Sequence, residues 1–139
     1  QTPKLATRAA VFQGERILLV KEPKGWALPG GWVDVDVSVK ENTVKEVREE
    51  AGLEVRADRV IALQDGENHH ETIYPWKVCI VFVLCTLLGG EFRENLETSE
   101  SGWFSLNELP ELDLEKTTPE QLQMCFEARR AEHWETRLE

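Results

Sequence analysis

Residues 28–53 read LPGGWVDVDVSVKENTVKEVREEAGL, and the reading of this stretch decides the fold. A Pro-Gly-Gly turn leads into a run whose end signals predict a helix. Ser38 and Glu41 have the S-x-x-E spacing of a capping box, in which each side chain reaches the other residue's backbone N–H, and Gly52 supplies the left-handed residue that stops helices. The predicted helix runs about three and a half turns. Val44, Val47 and Ala51 fall at i, i+3 and i+7 and make its buried stripe, whereas Glu46, Glu49 and Glu50, related by i+3 and i+4, converge on another face. Three carboxylates aimed at one spot repel one another unless a positive charge sits between them. A divalent cation would supply that charge. The bland alternative is a solvated face carrying the i, i+4 pairs Glu41 with Lys45 and Lys45 with Glu49.

The flanking residues favour the cation. The run resembles the signature of the Nudix hydrolases, G-x5-E-x7-R-E-U-x-E-E-x-G-U, with U an apolar residue. Gly31 fixes the register at the start, and Glu46, Val47, Glu49, Glu50, Gly52 and Leu53 match. Two positions depart from it: Val37 stands where the family has its first glutamate, and Lys45 where it has arginine. In the family that arginine orients the metal-binding carboxylates. The two changes therefore read as linked, since valine cannot pair with a guanidinium and lysine offers a point charge rather than a planar fork. The resemblance implies a metal-competent site whose ligands are less firmly supported, with a lower rate.

The rest of the chain agrees with one domain over 1–139. A chain of 139 residues, 41% hydrophobic and 30% charged, can bury a core without staples. Cys79 and Cys85 share one apolar run and would sit about 20 Å apart on a strand, beyond bridging distance. With Cys125 on a helix, the three read as buried thiols of a cytoplasmic protein. The longest apolar run, 78–88, is too short to cross a bilayer as a helix, so no membrane partner is expected. A net charge of −10 argues against a nucleic-acid polymer as partner. It also means that a polyanionic substrate needs metal ions and local basic residues to reverse the sign at the site. Arg8, Arg16 and Lys21, on the first two predicted strands, are candidates, and each reads equally well as an exposed strand charge.

Strands are predicted at 5–12 and 16–21, joined by a hairpin at Gln13-Gly14-Glu15, then at 54–64 and 76–88. A short strand is expected near 91–93, a polar loop over 97–100 and another strand at 103–106, with residues 65–75 a loop. Thr118 as N-cap, Pro119 at the first helical position and Gln121 three residues on predict a last helix. The sum is a mixed β-sheet flanked by helices, similar to the α/β/α sandwich of the Nudix fold, an α+β arrangement. The chain begins at Gln1 and its only methionine is Met124, so a native N-terminal segment is expected upstream.

The mechanism the resemblance implies is metal-assisted attack of water on a phosphorus of a nucleoside diphosphate linked to another moiety. Mg²⁺ suits it, with Mn²⁺ as the alternative. By resemblance, Glu46, Glu49 and Glu50 with the Gly30 carbonyl are the metal ligands, Glu49 and Glu50 lie nearest the metals, and Lys45 supports them. The base comes from the box or from a later loop that holds Glu97 and Glu100; Glu100 is the choice. Trp26, Tyr74 and Trp76 are candidates to stack a base or to serve as core aromatics, while the adjacent His69 and His70 point opposite ways on extended chain and make a poor metal pair. The box variant with the ETSESGWFSLNELPEL stretch at 97–112 most resembles bacterial members assigned to ADP-ribose or CDP-alcohol hydrolysis. Against that, the proline that many ADP-ribose hydrolases carry beyond the box is absent, His69 standing in its place. The expected partner is a small nucleotide, met by a monomer or a homodimer. A nucleotide-ligand sensor that has lost catalysis and a nucleoside triphosphate pyrophosphohydrolase remain as alternative readings.

Overall fold

The strand Lys4–Gln13 (β1) is apolar on both faces, and the rest of the architecture follows from covering both. Alternation along it sends Ala6, Ala10 and Phe12 one way and Ala9 and Val11 the other. The computed structural model describes residues 4–69 and 78–139. After β1 come β2 (Arg16–Glu22), β3 (Gly25–Ala27), β4 (Gly30–Trp32), helix α1 (Val39–Ala51), β5 (Leu53–Asp65), a 3-10 turn at Gly66–Asn68, β6 (Val78–Gly90), β7 (Glu100–Phe104), helix α2 (Pro119–Arg130) and β8 (Arg137–Leu138).

The strands run β3-β2-β1-β6-β5-β8, with β4 added to β1 and β7 to β2. β1 lies parallel to β6 and β5 parallel to β8, while the remaining pairs are antiparallel, so the sheet is mixed. One face packs Phe12, Ile17, Leu19 and Phe82 against Leu122, Cys125 and Phe126 of α2. The other packs Val11, Leu18, Val20 and Val83 against Val47 and Ala51 of α1. A helix on each face is the expected sandwich. Removing Phe82, which is fully buried at the centre, would cost about 3–5 kcal/mol.

Local chemistry sets the element ends. Gly14 takes φ 60° in the two-residue turn between β1 and β2. At α1 the Ser38 hydroxyl accepts from the Glu41 N–H at 3.0 Å, and Glu41 accepts from the Ser38 N–H at 3.2 Å. Gly52, at φ 70°, closes the same helix with its N–H donating to the Arg48 carbonyl. Thr118 and Gln121 form the reciprocal box on α2.

The structure departs from the expectations at four places. The buried stripe of α1 is wider than Val44, Val47 and Ala51: Val44 is only half-buried, and Asn42, Thr43 and Glu50 are buried. No strand forms at 91–93, because the chain leaving β6 packs on the end of α1, where a Cβ on Gly52 would lie 2.2 Å from the Glu91 carbonyl oxygen. Glu100 opens β7 instead of lying in a loop, since it pairs in register with Lys21 of β2. Cys79 is half-buried, whereas burial pushes the Cys85 and Cys125 thiols up to about 12. Cys79, Cys85 and Cys125 form no disulfide with one another. Tyr74, Trp76 and His70 lie outside the described residues. Among those described, no helix is long and apolar enough to cross a membrane.

Candidate active site

Two glycines bring the sheet and α1 together. β4 lies antiparallel to β1 with Thr7 opposite Gly31, and a Cβ on Gly30 would stand 1.9 Å from the Thr7 carbonyl oxygen, so only glycine permits the approach. The backbone N–H of Gly30 is thereby free to donate to Glu50 Oε2 at 2.8 Å. Gly31 is packed against the Glu46 carboxylate, whose Oε1 would lie 2.8 Å from an added Cβ. Asn42, buried on α1, fixes the third contact by donating to Thr7 Oγ1 at 2.9 Å and to the Gly31 carbonyl at 3.4 Å.

These contacts open Glu46, Glu49 and Glu50 onto one cavity of about 520 Å³, together with Gly30, Gly31 and Arg8. Sheet residues Val78 and Ile80 give it an apolar wall, and Trp32, Asp34, Glu97 and Lys116 stand around it. Burial raises the Glu50 carboxyl to about 8, against the pull of the Gly30 N–H and the Arg8 guanidinium, while Glu46 and Glu22 push it further up. Burial, then the neighbouring Glu49, also raises Glu46; Lys45 and Arg8 oppose this and Glu97 adds to it. The local field is short of positive charge.

That shortage, with all-oxygen donors on one wall, fits a hard divalent ion. Among the described residues no three acidic, histidine or cysteine side chains are already drawn into a closed ligand set. Mg²⁺ tolerates this arrangement, because it keeps several waters and needs only a few direct carboxylates. Glu46, Glu49 and Glu50 are therefore the side chains that would hold it.

The sequence candidates divide at this cavity. Arg8 reaches it, with Nη1 donating to the Leu28 carbonyl at 3.0 Å. Lys21 does not: it points to Glu100, Nζ to Oε2 3.4 Å, on the far side of β2. Glu100 is therefore engaged away from the cavity, and Glu97 is the acidic residue of that region on its wall. The placement of Glu97 is built. Asn95 accepts from the Glu97 and Thr98 N–H groups, and Asn95 and Thr98 both donate to the backbone carbonyl of Glu50. Trp26 is likewise displaced, its ring packed edge-on against Phe104 at 4.9 Å as part of the core. Lys45 has a partner after all, Asp34 Oδ2 at 3.4 Å, so Val37 has not orphaned it, and that bond raises its pKa. His69 does not line the cavity and binds Glu139 at 2.6 Å, just past the end of β5.

Trp32, Asn42, Asn95, Thr98 and Lys116 escaped the sequence reading. Asn42 left one signal, an amide inside a helix where such residues are unfavourable unless bonded. Trp32 sits in the turn that was read only for its glycines, and nothing local marks Lys116.

A mixed sheet between two helices, with a Gly-Gly turn facing three helical glutamates, defines a family. The chain belongs to the Nudix family, whose NUDIX domain description matches residues 2–125. It is similar to a crystal structure of an ADP-ribose pyrophosphatase from Streptococcus suis 89-1591, with a TM-score of 0.93 and 59% identity over 99% of this chain and 100% of that one. The Bacillus subtilis protein named "Putative ADP-ribose pyrophosphatase YjhB" is 36% identical over 128 residues, 91% of this chain and 62% of its own length. A Methanocaldococcus jannaschii ADP-ribose pyrophosphatase is 31% identical over 115 residues, 79% of this chain and 66% of its own. The chain thus spans less than two thirds of the length of these two curated relatives.

Proposed function

We propose that this domain, residues 1–139, is a Mg²⁺-dependent pyrophosphohydrolase that cleaves ADP-ribose to AMP and ribose 5-phosphate. The observation that carries the reading is the single cavity shared by Glu46, Glu49, Glu50, Gly30 and Arg8. The names of the similar proteins point to ADP-ribose, and none of those reported points to a CDP-alcohol.

In this reading Glu46, Glu49 and Glu50, with the Gly30 carbonyl, hold the metal, which when bound neutralises the diphosphate and lowers the pKa of the attacking water. Mn²⁺ would substitute with the same ligands. Arg8 anchors the diphosphate by charge-assisted hydrogen bonds. Lys45, through Asp34, steadies the helix face that carries the ligands. Glu97 takes the proton of the attacking water, replacing Glu100 as the base because Glu97 is on the cavity wall and already electrostatically coupled to Glu46. Trp32, 47% exposed beside the cavity, offers a face for the adenine.

The test is a screen of ADP-ribose, CDP-alcohols and nucleoside triphosphates with Mg²⁺, resolving nucleoside monophosphate, sugar phosphate and pyrophosphate. AMP and ribose 5-phosphate from ADP-ribose, lost in excess chelator and reduced by orders of magnitude in Glu49→Gln, is the expected outcome. Pyrophosphate release from triphosphates, with ADP-ribose untouched, would transfer the assignment to the triphosphate class. Turnover that persists in chelator would remove the metal from the mechanism.

A further inference from the structure

The cavity contains a second cation that is held in place from outside the Nudix box. Lys116 lies between the end of β7 and the start of α2, and its ammonium binds Glu22 at the end of β2. The two partners differ in environment: the Glu22 side chain is 8% exposed and that of Lys116 is 42% exposed. Glu22 is thus the buried anchor and Lys116 the group presented to the cavity that Glu46, Glu49 and Glu50 also line.

The segment carrying Lys116 is fixed by its backbone. Trp26 N–H donates to the Glu111 carbonyl and Asp113 N–H to the Trp26 carbonyl, both at 2.9 Å, and Leu28 N–H donates to Thr117 Oγ1 at 3.0 Å. Buried Asp113 closes the turn, its carbonyl accepting from the Lys116 and Thr117 N–H groups. A Cβ on Gly25 would meet the Asp113 backbone nitrogen at 2.8 Å, so β3 and this segment are packed main chain to main chain. An ammonium has three donors, and among the described residues Glu22 accepts from one of them.

We propose that Lys116 is a substrate-binding residue that contacts the diphosphate from a part of the cavity wall outside α1, and that Glu22 is the positioning residue that aims it. This rests on the reading of the cavity as a nucleoside diphosphate site. The electrostatic argument is direct. Among the described residues, the cavity wall carries Glu46, Glu49, Glu50, Glu97, Asp34 and Glu115 against the cations Arg8 and Lys116. A polyanion entering such a field gains most from a fixed cation already stripped of part of its water, and Lys116 bound to a buried carboxylate meets that description.

Calorimetric titration with the non-hydrolysable α,β-methylene analogue of ADP-ribose, in Mg²⁺, reads binding without turnover. Lys116→Met should weaken the analogue by about ten- to a hundredfold, the loss of one charge-assisted hydrogen bond, and Lys116→Arg should restore most of it. Glu22→Gln keeps an acceptor but not the charge that aims the ammonium and should lose affinity by less than Lys116→Met, whereas Glu22→Ala should approach that loss and add nothing further in the Lys116→Met background. Lys116→Met leaves the buried Glu22 carboxylate unpaired and should lower Tm, whereas adding Glu22→Gln to it should recover Tm without recovering the ligand. Unchanged affinity in Lys116→Met would overturn the assignment of Lys116, and unchanged affinity in Glu22→Ala, or a full further loss when it is added to Lys116→Met, would overturn that of Glu22. Wild type that ignores this analogue but binds α,β-methylene-ATP, with the loss in Lys116→Met intact, would overturn the ADP-ribose reading and keep Lys116. Binding of neither analogue by wild type would overturn both.

Discussion

Glu50→Gln removes the charge of the buried carboxylate at the site and leaves its shape. In the metal-free protein the Glu50 carboxyl stands at about 8, against an ordinary 4.5, chiefly through burial. A carboxyl raised in the folded state holds its proton more tightly there than in the unfolded chain. Its stability contribution is therefore intact below about pH 4.5, falls as pH rises, and is gone above about pH 8. At about 1.4 kcal/mol per pH unit of separation, the whole effect is a few kcal/mol, or on the order of 10 °C in Tm for a domain of this size. Scanning calorimetry in chelator, from about pH 5 to about pH 8, measures it. All other titrating groups are common to both proteins, so the difference between the two curves isolates Glu50. Wild type should lose Tm relative to Glu50→Gln across the range, the variant becoming the more stable at the alkaline end. Adding Mg²⁺ there should raise wild type and leave the variant nearly unmoved, while the variant's kcat falls by orders of magnitude. Parallel curves in chelator, or equal stabilisation of both proteins by Mg²⁺, would refute the claim that an uncompensated buried charge waits for a cation at this position.

Glu97→Gln should lower kcat by about 10²- to 10⁴-fold with little change in KM, whereas Glu100→Gln, which breaks only an exposed ion pair, should stay within about twofold. The reverse ranking in steady-state kinetics would return the base to Glu100. Because Asp34 already serves Lys45, Val37→Glu combined with Lys45→Arg should raise Mg²⁺ affinity additively in the natural background. Coupling should emerge only alongside Asp34→Asn, and strong coupling without it would show that position 37 is the dominant partner.

The parts of this fold legible in the sequence are those that neighbouring residues determine. Ser38 with Glu41, Thr118 with Gln121, Gly52 and Gly14 each act within four residues of themselves, and all four signals hold. The parallel pairing of β1 with β6 was not legible, since it joins residues some seventy apart and no local pattern distinguishes it from an antiparallel partner. At the site, the three box glutamates and Arg8 were readable because periodicity or strand position carried them. Lys21 faces away from the cavity because adjacent strand residues point oppositely, so Glu22 turns to Lys116 and Lys21 to Glu100, while Trp26 takes the core position that the sequence left open beside base stacking. Glu97 and Glu100 were separated by the same kind of fact, a strand that starts at 100 because β2 supplies its partner.

The backbone carbonyl of Glu50 ties down Asn95 and Thr98, and its side chain meets Gly30. One residue thereby holds two parts of the cavity wall through two different parts of its structure, and its main-chain half is invisible to side-chain substitution. The spacing from Asn95 to Thr98 consequently behaves as a fixed ruler. The chain between Gly90 and Arg93 is held as well, since Glu91 packs on Gly52, and a single-residue deletion inside 95–98 would swing Glu97 off the wall. For an engineer reshaping the cavity, the stretch 90–98 should be carried over intact.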